Sequence, residues 1–108
     1  MKVYKNYSII NVYIIMRSDF MKIKDSFLMK TVAGKIIVVP VGNATLDFNA
    51  VVSLNESGAF LFSLLQQNDH TEAELADKLV AEYEVDRETA EKDIARFIEK
   101  ISDAGMME

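Results

Sequence analysis

The sequence predicts an α+β domain in which a three-stranded antiparallel sheet is followed by three helices, in the order β-β-β-α-α-α. Residues 27–54 carry short runs rich in Val, Ile and Phe, bounded by Gly and Pro, as strands are. Residues 56–103 instead repeat apolar side chains every three or four positions, which is the period of a helix. A chain of 108 residues has room for one such core.

The first two strands are expected to form a β-hairpin. Phe27–Val32 and Lys35–Val39 flank the dipeptide Ala33-Gly34, and glycine favours the positive φ that a two-residue turn requires. Pro40 then interrupts the strand pattern. A hairpin placed before short-connected helices could serve as the wing of a winged helix-turn-helix-like domain.

The third strand is expected over residues 48–54 and leads directly into the first helix. Apolar Phe48, Ala50, Val52 and Leu54 alternate with Asn49, Val51 and Ser53, as in a half-buried strand. Asn55 follows at once, and its side chain can accept the N–H of Ser57 or Gly58 as a helix cap. Gly58 inside the helix indicates either a close backbone approach at this point or that glycine is simply tolerated near the helix end.

Each helix has an identifiable start and an apolar face. The first is apolar around most of its circumference and is therefore expected at the centre of the core. Thr71-Glu-Ala-Glu74 matches a capping box, and the second helix should end near Tyr83. Asp86 should cap the third helix, and Gly105 should end it in a left-handed conformation. The apolar stripe of the third helix comprises Ala90, Ile94, Phe97, Ile98 and Ile101.

The composition argues against an enzyme. With no Cys, disulfides, Cys metal sites and thiol nucleophiles are excluded, and neither a metal nor a cofactor is expected. His70 follows Asp69, but a triad would also need a nucleophile placed by the fold. His70 is more simply a loop residue before the Thr71 cap.

The N-terminal residues carry no recognisable export or membrane signal. Ile9–Met16 is apolar but far shorter than the roughly 20 residues of a membrane-spanning helix. No small-residue cleavage site follows it, so a cytoplasmic protein is expected. Residues 1–20 are expected to be an N-terminal extension, either an extra strand or a segment upstream of a second plausible start at Met21, and residues 21–108 to be the domain.

In their order and spacing, these segments resemble the PqqD-like family, also called the RiPP recognition element. The resemblance covers about residues 24–107, and its most diagnostic part is Leu-Asn-x-(Ser/Thr)-Gly-Ala followed by an apolar helix. Phe60 or Phe62 stands where the family usually carries an aromatic residue, often Trp. The other matching pieces are Val38-Val-Pro40, Thr71–Asp86 and Asp93–Met107.

The resemblance implies a winged helix-turn-helix-like domain that binds peptide. Such a protein is a non-catalytic chaperone that captures the leader of a ribosomally made precursor peptide as an extra strand beside the third strand. The third helix closes the groove. The complex is then presented to a modifying enzyme, often a radical S-adenosylmethionine enzyme, or in related systems a leader peptidase or cyclase.

The expected peptide-binding residues lie on the third strand and the third helix. Strand addition needs an unpaired strand edge. Residues 48–53 contain neither Pro nor Lys, the residues that commonly prevent an exposed edge from pairing with another chain. Alternatively, this strand is central and also paired by residues 9–15. An open edge, or residues 9–15 swapped between chains, could make a homodimer. The candidate site residues are Phe48, Asn49, Ala50, Val51, Val52, Ser53, Lys92, Arg96 and Phe97.

The charges of the third helix have two interpretations. Lys92, Arg96 and Lys100 lie four residues apart and form a basic strip along the helix. This basic strip could bind an acidic leader. Acidic neighbours share that side, and Glu88 to Lys92 is a favourable i,i+4 pair, so the strip also fits an ordinary solvated face. Phe97 could form a groove wall or simply belong to the core.

A DNA-binding winged-helix regulator is the alternative function, with the third helix in the major groove. The basic strip is its only support. Residues 71–108 hold 12 acidic and 5 basic side chains, and the whole chain has a net charge of −5. Such a surface repels phosphate backbones, so no nucleic-acid partner is expected.

Overall fold

The predicted order of elements is confirmed by a computed structural model that describes residues 20–42, 45 and 51–108. The sheet is antiparallel throughout, with β2 between β1 and β3. Residues 1–19 and 48–50, for which strands were considered, lie outside the described residues. The elements are β1 (Phe27–Val32), β2 (Lys35–Pro40), β3 (Val52–Leu54), α1 (Glu56–Gln67), α2 (Glu72–Tyr83) and α3 (Arg87–Asp103).

The hairpin turn lies where it was predicted, at Ala33 and Gly34. Their φ angles are +53° and +80°, and positive values at both central residues are what a type I′ turn requires. Val32 pairs with Lys35 on either side of the turn. Glycine adopts this conformation freely, whereas the Cβ of Ala33 makes it costly.

Ala33→Gly should therefore stabilise the protein. We expect the free energy of unfolding to rise by about 0.5–1 kcal/mol, because the substitution removes the Cβ penalty at positive φ. Ala81→Gly is the matched control, since Ala81 is exposed inside α2 and the same change there should cost about 1 kcal/mol. Urea unfolding followed by circular dichroism measures both, and a loss of stability in both variants would contradict the turn assignment.

The core lies between one face of the sheet and the three helices, with α1 at its centre. Leu61, Phe62 and Leu65 of α1 are buried on several sides, as the apolar circumference of this helix predicted. A single residue, Asn55, separates the end of β3 at Leu54 from the start of α1 at Glu56, so the strand leads directly into the central helix. The other buried apolar side chains include Val38, Val52, Leu54, Leu75, Leu79, Ile94, Phe97 and Ile101.

The predicted helix caps are confirmed. Asn55 Oδ1 accepts the Gly58 N–H at 2.8 Å, and Thr71 and Glu74 form the reciprocal capping box. Asp86 accepts the Thr89 N–H at 2.7 Å, and this hydrogen bond lowers the pKa of the Asp86 carboxyl. Gly105 follows the C-cap of α3 with a φ of +76°.

The need for glycine at position 58 has a local explanation. A Cβ there would lie 3.0 Å from Asn55 Oδ1 and 3.4 Å from Leu54 Cδ2. The close approach comes from the side chains of the preceding cap and strand residues, and not from a separate backbone segment. Glycine thus lets the Asn55 cap sit directly over the first turn of α1.

A short segment before β1 contacts both the connection between α1 and α2 and the residues that follow α3. Met21 and His70 exchange backbone hydrogen bonds of 2.8 and 3.0 Å, and the Lys24 N–H donates to Met106 O at 2.9 Å. Ile23 lies between these contacts and is fully buried. No pattern in the sequence predicted the burial of Ile23. His70 is a connecting residue as predicted, and Met106 packs back onto the core.

None of the helices in the described part of the chain is both long and apolar enough to cross a membrane.

Candidate functional site

A groove of about 430 Å³ lies between the end of β3, the start of α1 and one face of α3. The three elements meet here because Asn55 ends the strand and starts α1 without a loop, and α3 packs against α1. The groove is lined by Ser53, Leu54, Asn55, Ser57, Gly58, Leu61, Asp93, Arg96, Phe97 and Lys100.

The β3 side of the groove is an edge of the sheet. Among the described residues, β3 pairs only with β2, in a register that places Ser53 opposite Ile37. Val52 and Leu54 face the core, whereas Val51 is 57% exposed and Ser53 is exposed as well. The predicted alternation of the strand is confirmed over these four residues.

The backbone of Ser53 faces α3. Its carbonyl oxygen accepts a hydrogen bond from Lys100 Nζ at 2.9 Å. Opposed residues in an antiparallel pair either exchange both backbone hydrogen bonds or neither, and one residue directs its N–H and C=O to the same side. We therefore place the Ser53 N–H in the groove as well. These two groups are what an added strand would pair with.

The floor of the groove is apolar and well packed. Phe97 is only 5% exposed and belongs to the core, yet it also lines the groove. The two interpretations of Phe97 are thus compatible. Leu54 and Leu61 complete the apolar floor.

The basic strip of α3 divides between the groove and the solvated face. Lys92 lies outside the groove lining and pairs with Glu88 at 3.5 Å. Arg96 lines the groove and pairs with Asp93 at 3.4 Å. Lys100 lines the groove and reaches β3.

Among the sequence-predicted site residues, the structure therefore brings together Ser53, Arg96 and Phe97 at the groove. Residues 48–50 lie outside the described residues, and Val51 and Val52 are on β3 or just before it without lining the groove. Asp93 was not among the predicted residues, and Lys100 was predicted only as part of the basic strip of α3 and not as a site residue. Their spacing from Arg96, three residues before and four after, places all three on one side of the helix and could have indicated them.

A second cavity of about 310 Å³ adjoins the groove around the start of α1. It shares Asn55, Ser57 and Asp93 with the groove and continues to Tyr83 and the turn before α3. Partial burial raises the pKa of the Tyr83 phenol, and Glu56 and Glu82 raise it further. The Tyr83 ring also packs edge-on against Phe60, with centroids 5.6 Å apart.

Comparison with known proteins gives one family and two structural relatives. The family model for coenzyme PQQ synthesis protein D (PqqD) matches residues 35–107. The structure of TbiB1 in complex with the TbiA(beta) leader peptide is 25% identical, with a TM-score of 0.62 over 82% of this chain and 95% of that chain. A lasso peptide synthetase B1 complexed with the leader peptide is 24% identical, with a TM-score of 0.61 over 82% of this chain and 96% of that one. No curated protein matches the sequence.

Proposed function

Because the chain belongs to the PqqD family, we propose that it is a non-catalytic peptide-binding chaperone. It captures the leader of a ribosomally made precursor peptide by strand addition at β3. It then presents the precursor to a modifying enzyme, either a radical S-adenosylmethionine enzyme or a leader peptidase or cyclase. We place this activity in the cytoplasm.

The observation that carries the proposal is the open side of β3. Ser53 presents its backbone to a groove that no other described strand occupies, with an apolar floor beneath it. Backbone hydrogen bonds at such an edge supply affinity, and pockets for alternate side chains supply specificity. The proposed strand-pairing residues are Phe48–Ser53, and α3 contributes Arg96, Phe97 and Lys100, with Lys92 one turn farther out.

The structural relative TbiB1 supports the class of ligand. The structure of that protein was determined in complex with a leader peptide, and the structural match covers 82% of this chain. A groove between a sheet edge and a helix accepts an extended peptide more readily than a compact small molecule, because the edge offers a row of backbone groups. The ligand class and the geometry therefore agree.

The proposed role in holding a peptide requires neither a nucleophile nor a general base in the groove. Within the described residues, the groove contains neither His nor Cys, and the Ser57 hydroxyl lies 3.3 Å from the Asn55 amide oxygen, which is not a base. A nucleophilic Ser needs an adjacent general base. The same groove can hold a peptide with no such group.

The DNA-binding alternative gains no support from α3. The cationic side chains Lys92 and Arg96 are each paired with an acidic neighbour on the same helix. With two of its three cations paired and only Lys100 without a carboxylate partner among the described residues, the strip does not form the basic stripe that phosphate contacts need. We also propose a homodimer, because a second copy of the chain could pair with the open edge of β3 in competition with the leader.

The test is a titration of the protein with the leader of the precursor peptide encoded beside it, followed by amide NMR. Saturating leader should shift the amide signals of Val51–Leu54 and of α3 around residues 93–100. A scrambled peptide of the same composition is the control and should shift neither set. If the leader bound but shifted neither set of amide signals, the groove assignment would be wrong.

A further inference from the structure

We propose that Lys100 selects for an acidic side chain in the bound peptide, close to the point where the peptide backbone meets Ser53. This inference rests on the proposed function and adds the chemistry that the ligand should carry. It makes Lys100 a specificity-determining residue of the groove.

The first support is the position of the Lys100 ammonium. Nζ donates to Ser53 O at 2.9 Å, so the Lys100 side chain spans the groove from α3 to the sheet edge. A peptide that pairs with Ser53 must bring its own N–H to about 2.9 Å from that oxygen. Lys100 must then share the oxygen or move aside, and in both cases its charge lies against the incoming strand.

The second support is the balance of charge inside the groove. Three charged side chains line it, and the carboxylate of Asp93 lies 3.4 Å from Arg96. No carboxylate of the described residues lies within ion-pair distance of Lys100, whose hydrogen bond goes to a neutral carbonyl. Counting only the described residues, the charged side chains that line the groove therefore carry one positive charge that no carboxylate neutralises. A peptide carboxylate would replace a neutral acceptor with a charged one, which is the stronger hydrogen bond.

The acidic side chains of the C-terminal part of the chain work against an acidic peptide, and salt weakens this repulsion. Residues 71–108 carry an excess of negative charge, but exposed charges are largely screened beyond about 8 Å at physiological ionic strength. The Lys100 ammonium is exposed, but a peptide carboxylate in direct contact with it would lie well within that distance and keep part of its attraction. We therefore expect the selection for an acidic residue to persist in physiological salt.

A displayed library of random 12-residue peptides tests the inference without knowledge of the natural leader. The library is selected against the wild type, Lys100→Glu and the control Lys92→Glu. The control makes the same charge change on the same helix, but outside the groove lining. Peptides selected by the wild type and by Lys92→Glu should share an Asp or Glu at one aligned position, and those selected by Lys100→Glu should carry Lys or Arg there.

Binding measurements on individual selected peptides give the size of the contribution of the acidic residue to affinity. Replacing the selected acid by Gln should weaken binding roughly 3- to 10-fold for the wild type, and should change it little for Lys100→Gln. If peptides bind in the groove with no acidic preference, or if Lys100→Glu keeps that preference, this inference is overturned and the proposed function stands. If no peptide binds any of the proteins, the proposed function itself fails.

Discussion

Replacing Ser53 with Pro is expected to weaken binding of the leader peptide at least about tenfold while the domain stays folded. Proline removes the Ser53 N–H, which the geometry of β3 directs into the groove. The ladder to β2 does not use this group, since Ser53 is opposite Ile37 in a pair that exchanges no hydrogen bonds. Proline is tolerated on edge strands for this reason.

Ser53→Ala is the matched control, because it removes the hydroxyl but keeps the N–H. Isothermal calorimetry with the leader peptide measures both variants, and circular dichroism checks that both remain folded. Ser53→Ala should bind within about twofold of the wild type, because backbone groups and not the Ser53 hydroxyl supply the affinity. A folded Ser53→Pro variant that binds as tightly as the wild type would rule out strand addition at this residue.

Ile23→Ala is expected to cause the largest loss of stability among the substitutions considered. Ile23 is fully buried in the core, its N–H donates to Leu65 O at 3.3 Å, and it forms a β-bridge with Met107. Truncating a fully buried Ile typically costs about 2–5 kcal/mol, because apolar contacts are lost and a cavity remains. The free energy of unfolding from urea titration should fall by that amount.

Phe20→Ala provides the comparison three residues earlier. Phe20 is a larger side chain but is 64% exposed, so its removal should change the free energy of unfolding by less than about 0.5 kcal/mol. If both variants were equally stable, residues 20–24 would not be part of the cooperative fold. The expected difference would show that Ile23, next to the hydrogen bond from the Lys24 N–H to Met106 O, contributes to the cooperative fold.

Local signals predicted most of the fold correctly. The hairpin turn needs positive φ at two positions, and a dipeptide that contains glycine marks it. Each helix start needs an acceptor for free backbone N–H groups, and Asn55, Thr71 and Asp86 supply it. These requirements involve neighbours in sequence, so they can be recognised before any tertiary contact is known.

The candidate site was predicted less completely, because its members meet only through tertiary packing. Lys92 and Lys100 are the same residue type on the same helix, eight positions apart. Only the packing of α3 against α1 and β3 places Lys100 over Ser53, whereas the pairing of Lys92 with Glu88 is local to the helix. The burial of Ile23 likewise depends on contacts with residues more than 40 positions away.

By itself, the sequence determined the order of elements, the helix caps and the continuous passage from β3 through Asn55 into α1, because short-range hydrogen bonding and apolar periodicity specify them. The sequence also contains the segment, residues 35–107, that matches the PqqD family. Only the tertiary structure decided that the backbone of Ser53 faces α3 and that Lys100 bridges the two. The physical reason is that the direction of a strand's free edge depends on which strand pairs with its other side, and here that strand is β2.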